Sequence, residues 1–187
     1  MKRIITLVSL MVFFGCKSDK KTVSVANQRE NETEVSLLKP KDVLIEGDLT
    51  LNVYDFDGFE PFLNKKDDKT YVINFWATWC KPCIAELPSF EQIQEKYKGE
   101  NVEVVLVSLD FPRMYRSHVI PFIKDNNLKS SIMLLDDPKQ NDWIPRVNEE
   151  WSGAIPATIV YNKEKKMFFE QSFEYAELEN TVQQFLK

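Results

Sequence analysis

"INFWATWCKPCIAELPSF", residues 73–90, is a run of bulky apolar side chains that stops at two cysteines three positions apart and resumes with a helical period. Residues 71–76 are apolar or β-branched apart from Asn74, the pattern of a strand covered on both faces and set inside a sheet. From about Lys81, the residues Ile84, Leu87, Phe90, Ile93 and Tyr97 recur at steps of three or four, which predicts a helix that Gly99 stops. Cys80 therefore stands where a strand ends and a helix begins. Unpaired N–H groups and the positive end of the helix dipole favour an anion there, so its thiolate is stabilised and its pKa is expected below the ordinary value of about 8.5. Cys83 lies one turn further on, within disulfide reach, and Pro82 is tolerated because a first-turn residue has no intrahelical use for its N–H.

Three uses of such a pair compete. A structural staple closing so short a loop removes little entropy from the unfolded chain. A zinc site needs about four ligands, and beyond these thiols the neighbourhood offers only His118, far along the sequence. A thiol-disulfide couple needs one activated sulfur at a helix start and one resolving sulfur behind it, and it fits best.

Working outward, Leu51, Val53 and Phe56 suggest an opening strand, with a turn at Asp57-Gly58 and a short helix over 59–64. Residues 102–109 read as a second buried strand, 114–126 as a helix crossing over to a strand at 132–135, and 142–150 as helical or irregular. Residues 156–161 and 167–173 read as an antiparallel hairpin, and 175–186 as a closing helix. Strands alternating with helices, then a hairpin and a last helix, predict an α/β three-layer sandwich with a mixed sheet.

"FWATWCKPCIAELP" resembles the active-site segment of the thioredoxin superfamily, specifically its TlpA/ResA-like membrane-tethered thiol-disulfide oxidoreductases, whose pattern Trp-Cys-x-Pro-Cys-x-x-Glu-x-Pro is met by Trp79, Cys80, Pro82, Cys83, Glu86 and Pro88. "GAIPATIVYN" is similar to the loop that carries that superfamily's cis-proline, which places it at Pro156, after Ile155. The resemblance covers residues 43–187 and implies a thioredoxin-like three-layer α/β/α sandwich. It implies that Cys80 attacks a substrate disulfide, that Cys83 resolves the mixed disulfide, and that the backbone of Ile155, beside Pro156, binds substrate as an added strand. Glu86, three residues past Cys83, is the candidate acceptor of that thiol's proton, because Asn74 stands where many cytoplasmic thioredoxins carry a buried Asp. A solvated helix carboxylate is the plainer reading of Glu86. Trp79 is expected to border the site and offer apolar surface to partners, whereas Trp76, Trp143 and Trp151 read as packing and His118 as solvated.

The 187 residues, 43% hydrophobic, suffice for one sizeable core, and a net charge of −5 gives no footprint for nucleic acid. Lys2 and Arg3, an apolar stretch over 4–14 and Gly15-Cys16 read as an export signal over residues 1–15. The small residue before Cys16 resembles a bacterial lipobox, which implies lipidation of Cys16, although Phe13 and Phe14 depart from that motif; a plain cleaved signal is the alternative. Residues 16–40 have the composition of a flexible tether, leaving 41–187 as the folded domain. These readings place the protein in the bacterial cell envelope, extracytoplasmic and held to the membrane only by lipid. No cofactor or metal is expected beyond the two thiols. The dipeptide Lys81-Pro82 lacks an imidazolium to stabilise the reduced form, which favours a disulfide reductase fed by a membrane electron donor and acting on disulfide-containing exported proteins, as in cytochrome c maturation or thiol repair. A thiol peroxidase or disulfide oxidase of the same fold, and a non-catalytic copper-binding chaperone, are the alternatives; the absence of a His or Met partner near either motif counts against copper.

Overall fold

The computed structural model describes residues 39–186. The signal over 1–15, Cys16 and all but the end of the tether lie outside the described residues. Strand β1 (Asp42–Glu46) turns at Gly47, φ 65°, into β2 (Leu49–Tyr54), an antiparallel hairpin that the sequence pattern did not announce. Phe56 does not extend that strand. It opens the short helix α1 (Phe56–Phe59), capped by Asp55, whose Oδ1 accepts the Gly58 N–H at 2.9 Å, and a 3-10 turn, Glu60–Leu63, follows.

Strand β3 (Thr70–Trp76) is buried along its whole length and leads into helix α2 (Lys81–Lys96), then β4 (Val102–Ser108). The single helix expected over 114–126 is instead three pieces: a 3-10 turn Pro112–Met114, a π-helical turn Tyr115–Val119 and helix α3 (Ile120–Asp125). Pro121 has no N–H to return to the Ser117 carbonyl. The preceding N–H, that of Ile120, reaches back five residues to Tyr115. Strand β5 (Ser131–Leu135), helix α4 (Gln140–Val147), strands β6 (Ala157–Tyr161) and β7 (Lys166–Phe169) and helix α5 (Tyr175–Gln183) complete the chain. Strand β7 ends four residues before Phe173, which belongs to a loop that returns over α2.

The sheet order is β1-β2-β5-β4-β3-β6-β7, with β2, β5, β4 and β3 parallel to one another and the pairs β1–β2, β3–β6 and β6–β7 antiparallel. The carboxyl ends of four parallel strands are therefore gathered at one end of the sheet. Alternate residues feed two cores. Val72, Trp76, Val104 and Leu106 pack under Leu87, Phe90 and Ile93 of α2 and Leu178 and Val182 of α5. On the opposite face Ile73, Phe75, Val105 and Val107 meet Phe56 and Phe59 of α1 and Trp143 and Val147 of α4. Helix α3 covers Leu51, Val53 and Leu134 on the α2 side. The result is the three-layer α/β/α sandwich with a mixed sheet, and burying each of its large aromatic or aliphatic side chains contributes about 1.5–3 kcal/mol.

Candidate active site

Cys80 is the N-cap of α2, with extended backbone (φ −91°, ψ 98°), and its Sγ accepts the Cys83 N–H at 3.3 Å. A helix-start amide thus points at the sulfur that the sequence marks as nucleophile. A disulfide joins Cys80 and Cys83, with Cα atoms 5.3 Å apart. The two are not equivalent. Cys80 keeps 6% of its surface open and Cys83 none, so an incoming disulfide can reach only the first. Cys80 is less open than its place at the head of a helix suggests, because the loop before β6 lies against it.

That loop carries a cis peptide between Ile155 and Pro156, and the Ile155 carbonyl oxygen lies 3.6 Å from Cys80 Sγ. It meets the cysteines because β6 runs antiparallel to β3, Phe75 facing Ala157, so the start of β6 and the end of β3 share one edge of the sandwich. Trp79 stands beside the pair with half of its surface in solvent.

Glu86 is buried on the same helix, one turn past Cys83. Its Oε1 accepts from Asn74 Nδ2 at 2.8 Å and its Oε2 from the Phe173 N–H at 2.8 Å. Burial pushes its pKa up to about 7, against the pull of the Phe173 and Asn74 hydrogen bonds. The solvated reading of Glu86 is therefore wrong. No hydrogen bond joins it to either cysteine while the disulfide is closed. Asn74 also donates to Thr158 Oγ1 at 3.1 Å, and its own Oδ1 has no partner. The polar cluster of Asn74, Glu86 and Thr158 is thus built across β3, α2 and β6.

Two supports of the site escaped the sequence reading. Asp110, 1% exposed, accepts the Thr78 N–H at 2.9 Å and the Ser108 hydroxyl at 2.9 Å on Oδ2, and the Thr78 hydroxyl at 2.6 Å on Oδ1. This clasp fixes the turn that presents Trp79 and Cys80. The register of β3 on β4, Trp76 against Ser108, brings the two strand ends together, and an acidic residue just past a strand was the available signal. Trp151, taken as packing, does pack, 4.9 Å from the Phe75 ring, but its Nε1 also donates to the Ala154 carbonyl at 2.8 Å, directly before Ile155. His118 is exposed, as expected, hydrogen-bonded to Ser117 Oγ. Among the described residues no three metal-ligating side chains gather.

Residues 48–169 match the AhpC/TSA family. The chain is 48% identical over 48 residues to the thiol-disulfide oxidoreductase ResA of Oceanobacillus iheyensis, which covers 26% of this chain and 25% of that protein. It is 28% identical over 116 residues to the ResA of Bacillus cereus, covering 62% of this chain and 61% of the relative. The match thus spans less than two thirds of the length of either relative. Among solved structures, a thiol:disulfide interchange protein of the thioredoxin family from Chlorobium tepidum superposes with a TM-score of 0.54 at 22% identity, covering 68% of this chain and 85% of that one. That likeness bears on the fold, which is thioredoxin-like.

Proposed function

Since this chain belongs to the AhpC/TSA family, we propose that it is an extracytoplasmic thiol-disulfide oxidoreductase that reduces disulfides of exported proteins. The observation that carries the reading is the position of the Cys80 sulfur, held by a helix-start N–H on one side and faced by the Ile155 carbonyl on the other. The resemblance to ResA proteins supports it.

In the reduced protein the Cys80 thiolate attacks one sulfur of a substrate disulfide, forming a mixed disulfide and expelling the other substrate sulfur as thiolate. Cys83 then loses its proton to Glu86 and attacks Cys80, closing the protein disulfide and releasing the second substrate thiolate. Two electrons pass from the protein to the substrate, the Cys83 proton passes to Glu86, and the two released thiolates take up protons from solvent. The backbone of Ile155, whose carbonyl faces Cys80, binds the incoming segment as an added strand. Trp79 supplies apolar surface beside the exchange.

Regeneration requires a thiol donor, and the export signal with Cys16 as lipid anchor supports a donor in the membrane. Among the described residues no helix is long and apolar enough to cross a bilayer. The direction of electron flow rests on Lys81 and Pro82 between the cysteines, neither of which stabilises the thiolate as an imidazolium would. The test is reduction of hydroxyethyl disulfide and of insulin by the reduced protein. Wild type is expected to consume both, Cys80→Ser neither, and Cys83→Ser to stop at a mixed disulfide visible by mass. Turnover by Cys80→Ser would remove the reading.

A further inference from the structure

Among the described residues four large apolar side chains remain exposed: Val43 and Ile45 on the edge strand β1, and Trp79 and Phe111 at the redox end. The last two are tied to one another through the backbone. Thr78 bonds directly to Asp110 by both its N–H and its hydroxyl, and Trp79 and Phe111 are the next residue on each side of that clasp. Both stand half open to solvent, at 52% and 50%, on loops that a buried carboxylate holds in fixed relation. Solvent-exposed aromatic rings on a rigid frame lose little entropy on binding.

Cations without an acidic partner stand near both rings. The Arg113 guanidinium lies 4.9 Å from the centre of the Phe111 ring, and among the described residues it has no carboxylate partner. Lys81, between the cysteines, is exposed and likewise unpaired. The basic residues Lys41, Lys69, Lys96, Arg116, Lys124, Arg146 and Lys163 do pair with acids. Among the described residues other lysines, such as Lys66, Lys98 and Lys129, also lack an acidic partner, but only Trp79 and Phe111 are large aromatic side chains left exposed, and Arg113 lies on one of them.

We propose that Trp79, Phe111 and Arg113 form a docking surface for the segment flanking the cystine of a polypeptide substrate, and that this surface selects segments in which an apolar residue neighbours a carboxylate. The ring of Phe111 receives the apolar side chain and Arg113 the carboxylate, while Cys80 meets the disulfide. Apolar contact supplies affinity and the cation supplies selection and encounter rate. The proposal deepens the disulfide-reductase reading and rests on it, by adding the chemistry of the preferred substrate.

The experiment uses the reduced full-length protein and three synthetic peptides of equal length, each closed by one disulfide flanked by Leu-Glu, Leu-Lys or Gly-Ser. Each turnover oxidises the protein dithiol to its disulfide and reduces the peptide cystine to two thiols. Wild type is expected to consume the Leu-Glu peptide about fivefold faster than the Leu-Lys peptide at low salt, with the ratio falling toward one as salt is added. The Gly-Ser peptide is expected to be slower than the Leu-Glu peptide. Arg113→Glu is expected to invert the order of the two charged peptides, and Phe111→Ala to abolish the advantage of Leu-Glu over Gly-Ser. Comparing peptides on one variant cancels any change in thiol reactivity or folded fraction. Equal rates for the three peptides with wild type, or an unchanged order with Arg113→Glu, would overturn the proposal. So would a dimer that Phe111→Ala dissociates, since the patch would then be a contact between copies. A wild type unable to reduce hydroxyethyl disulfide would instead overturn the reductase reading beneath it.

Discussion

Glu86 is the residue whose chemistry is most altered by its surroundings. Its carboxyl holds a proton up to about pH 7 in the folded chain and releases it near 4.5 when exposed, so between those values the folded state binds more protons than the unfolded one. Stability therefore falls as pH rises through that window, and Glu86→Gln is expected to flatten the slope in urea titrations taken across it. As acceptor of the Cys83 proton, the ionised form is the useful one. Resolution of a mixed disulfide at Cys80 should thus quicken as pH rises through about 7 and then level off. With Glu86→Gln it is expected to slow by about 10²-fold and to follow the ionisation of Cys83 alone, measured by stopped flow. Unaltered kinetics across this range would leave Glu86 a purely structural group. The spacing of Glu86 from Cys83 was legible in the sequence, but its burial was not. That burial depends on Phe173, a loop residue 87 positions away whose N–H holds the carboxylate, and no local pattern encodes such a partner.

At the scale of elements, strand β3, helix α2 and the hairpin of β6 and β7 were legible because their burial imposes unbroken or periodic apolar patterns. The segment between β4 and β5 was not, because Pro112 and Pro121 divide it into turns of three different pitches while its apolar spacing still reads as helix. The stretch over 141–152 also lacked an obvious purpose in sequence. It makes α4 and a loop that set Trp143 against Phe56 and Trp151 against Phe75, with ring centres 5.5 and 4.9 Å apart. From that packed position the Trp151 Nε1–H holds the Ala154 carbonyl. Trp151→Phe keeps most of the ring volume and deletes this bond. The expected result is a loss of about 0.5–1.5 kcal/mol in urea unfolding, together with slower exchange with peptide disulfides, since the backbone of Ile155 would be less firmly placed. A stability loss with no change in exchange would confine Trp151 to packing.

At the scale of the molecule, the redox state and the fold are coupled, because the Cys80 and Cys83 bond closes in the frame that the sandwich imposes. The difference in unfolding free energy between the oxidised and reduced protein equals the difference in disulfide strength between the folded and unfolded chain. A reductant holds its disulfide more firmly when folded, so the oxidised form is expected to have the higher urea midpoint. A more stable reduced form would reverse the proposed direction of electron flow.

The antiparallel entry of β1 has a mechanical consequence. Asp42 pairs with Val53, at the carboxyl end of β2, so the chain enters the sheet at the same end from which β3 delivers Cys80. Four strand spacings, roughly 19 Å, separate that entry from the sulfur. A leash fixed to a surface upstream would pull on this rim and not on the opposite one.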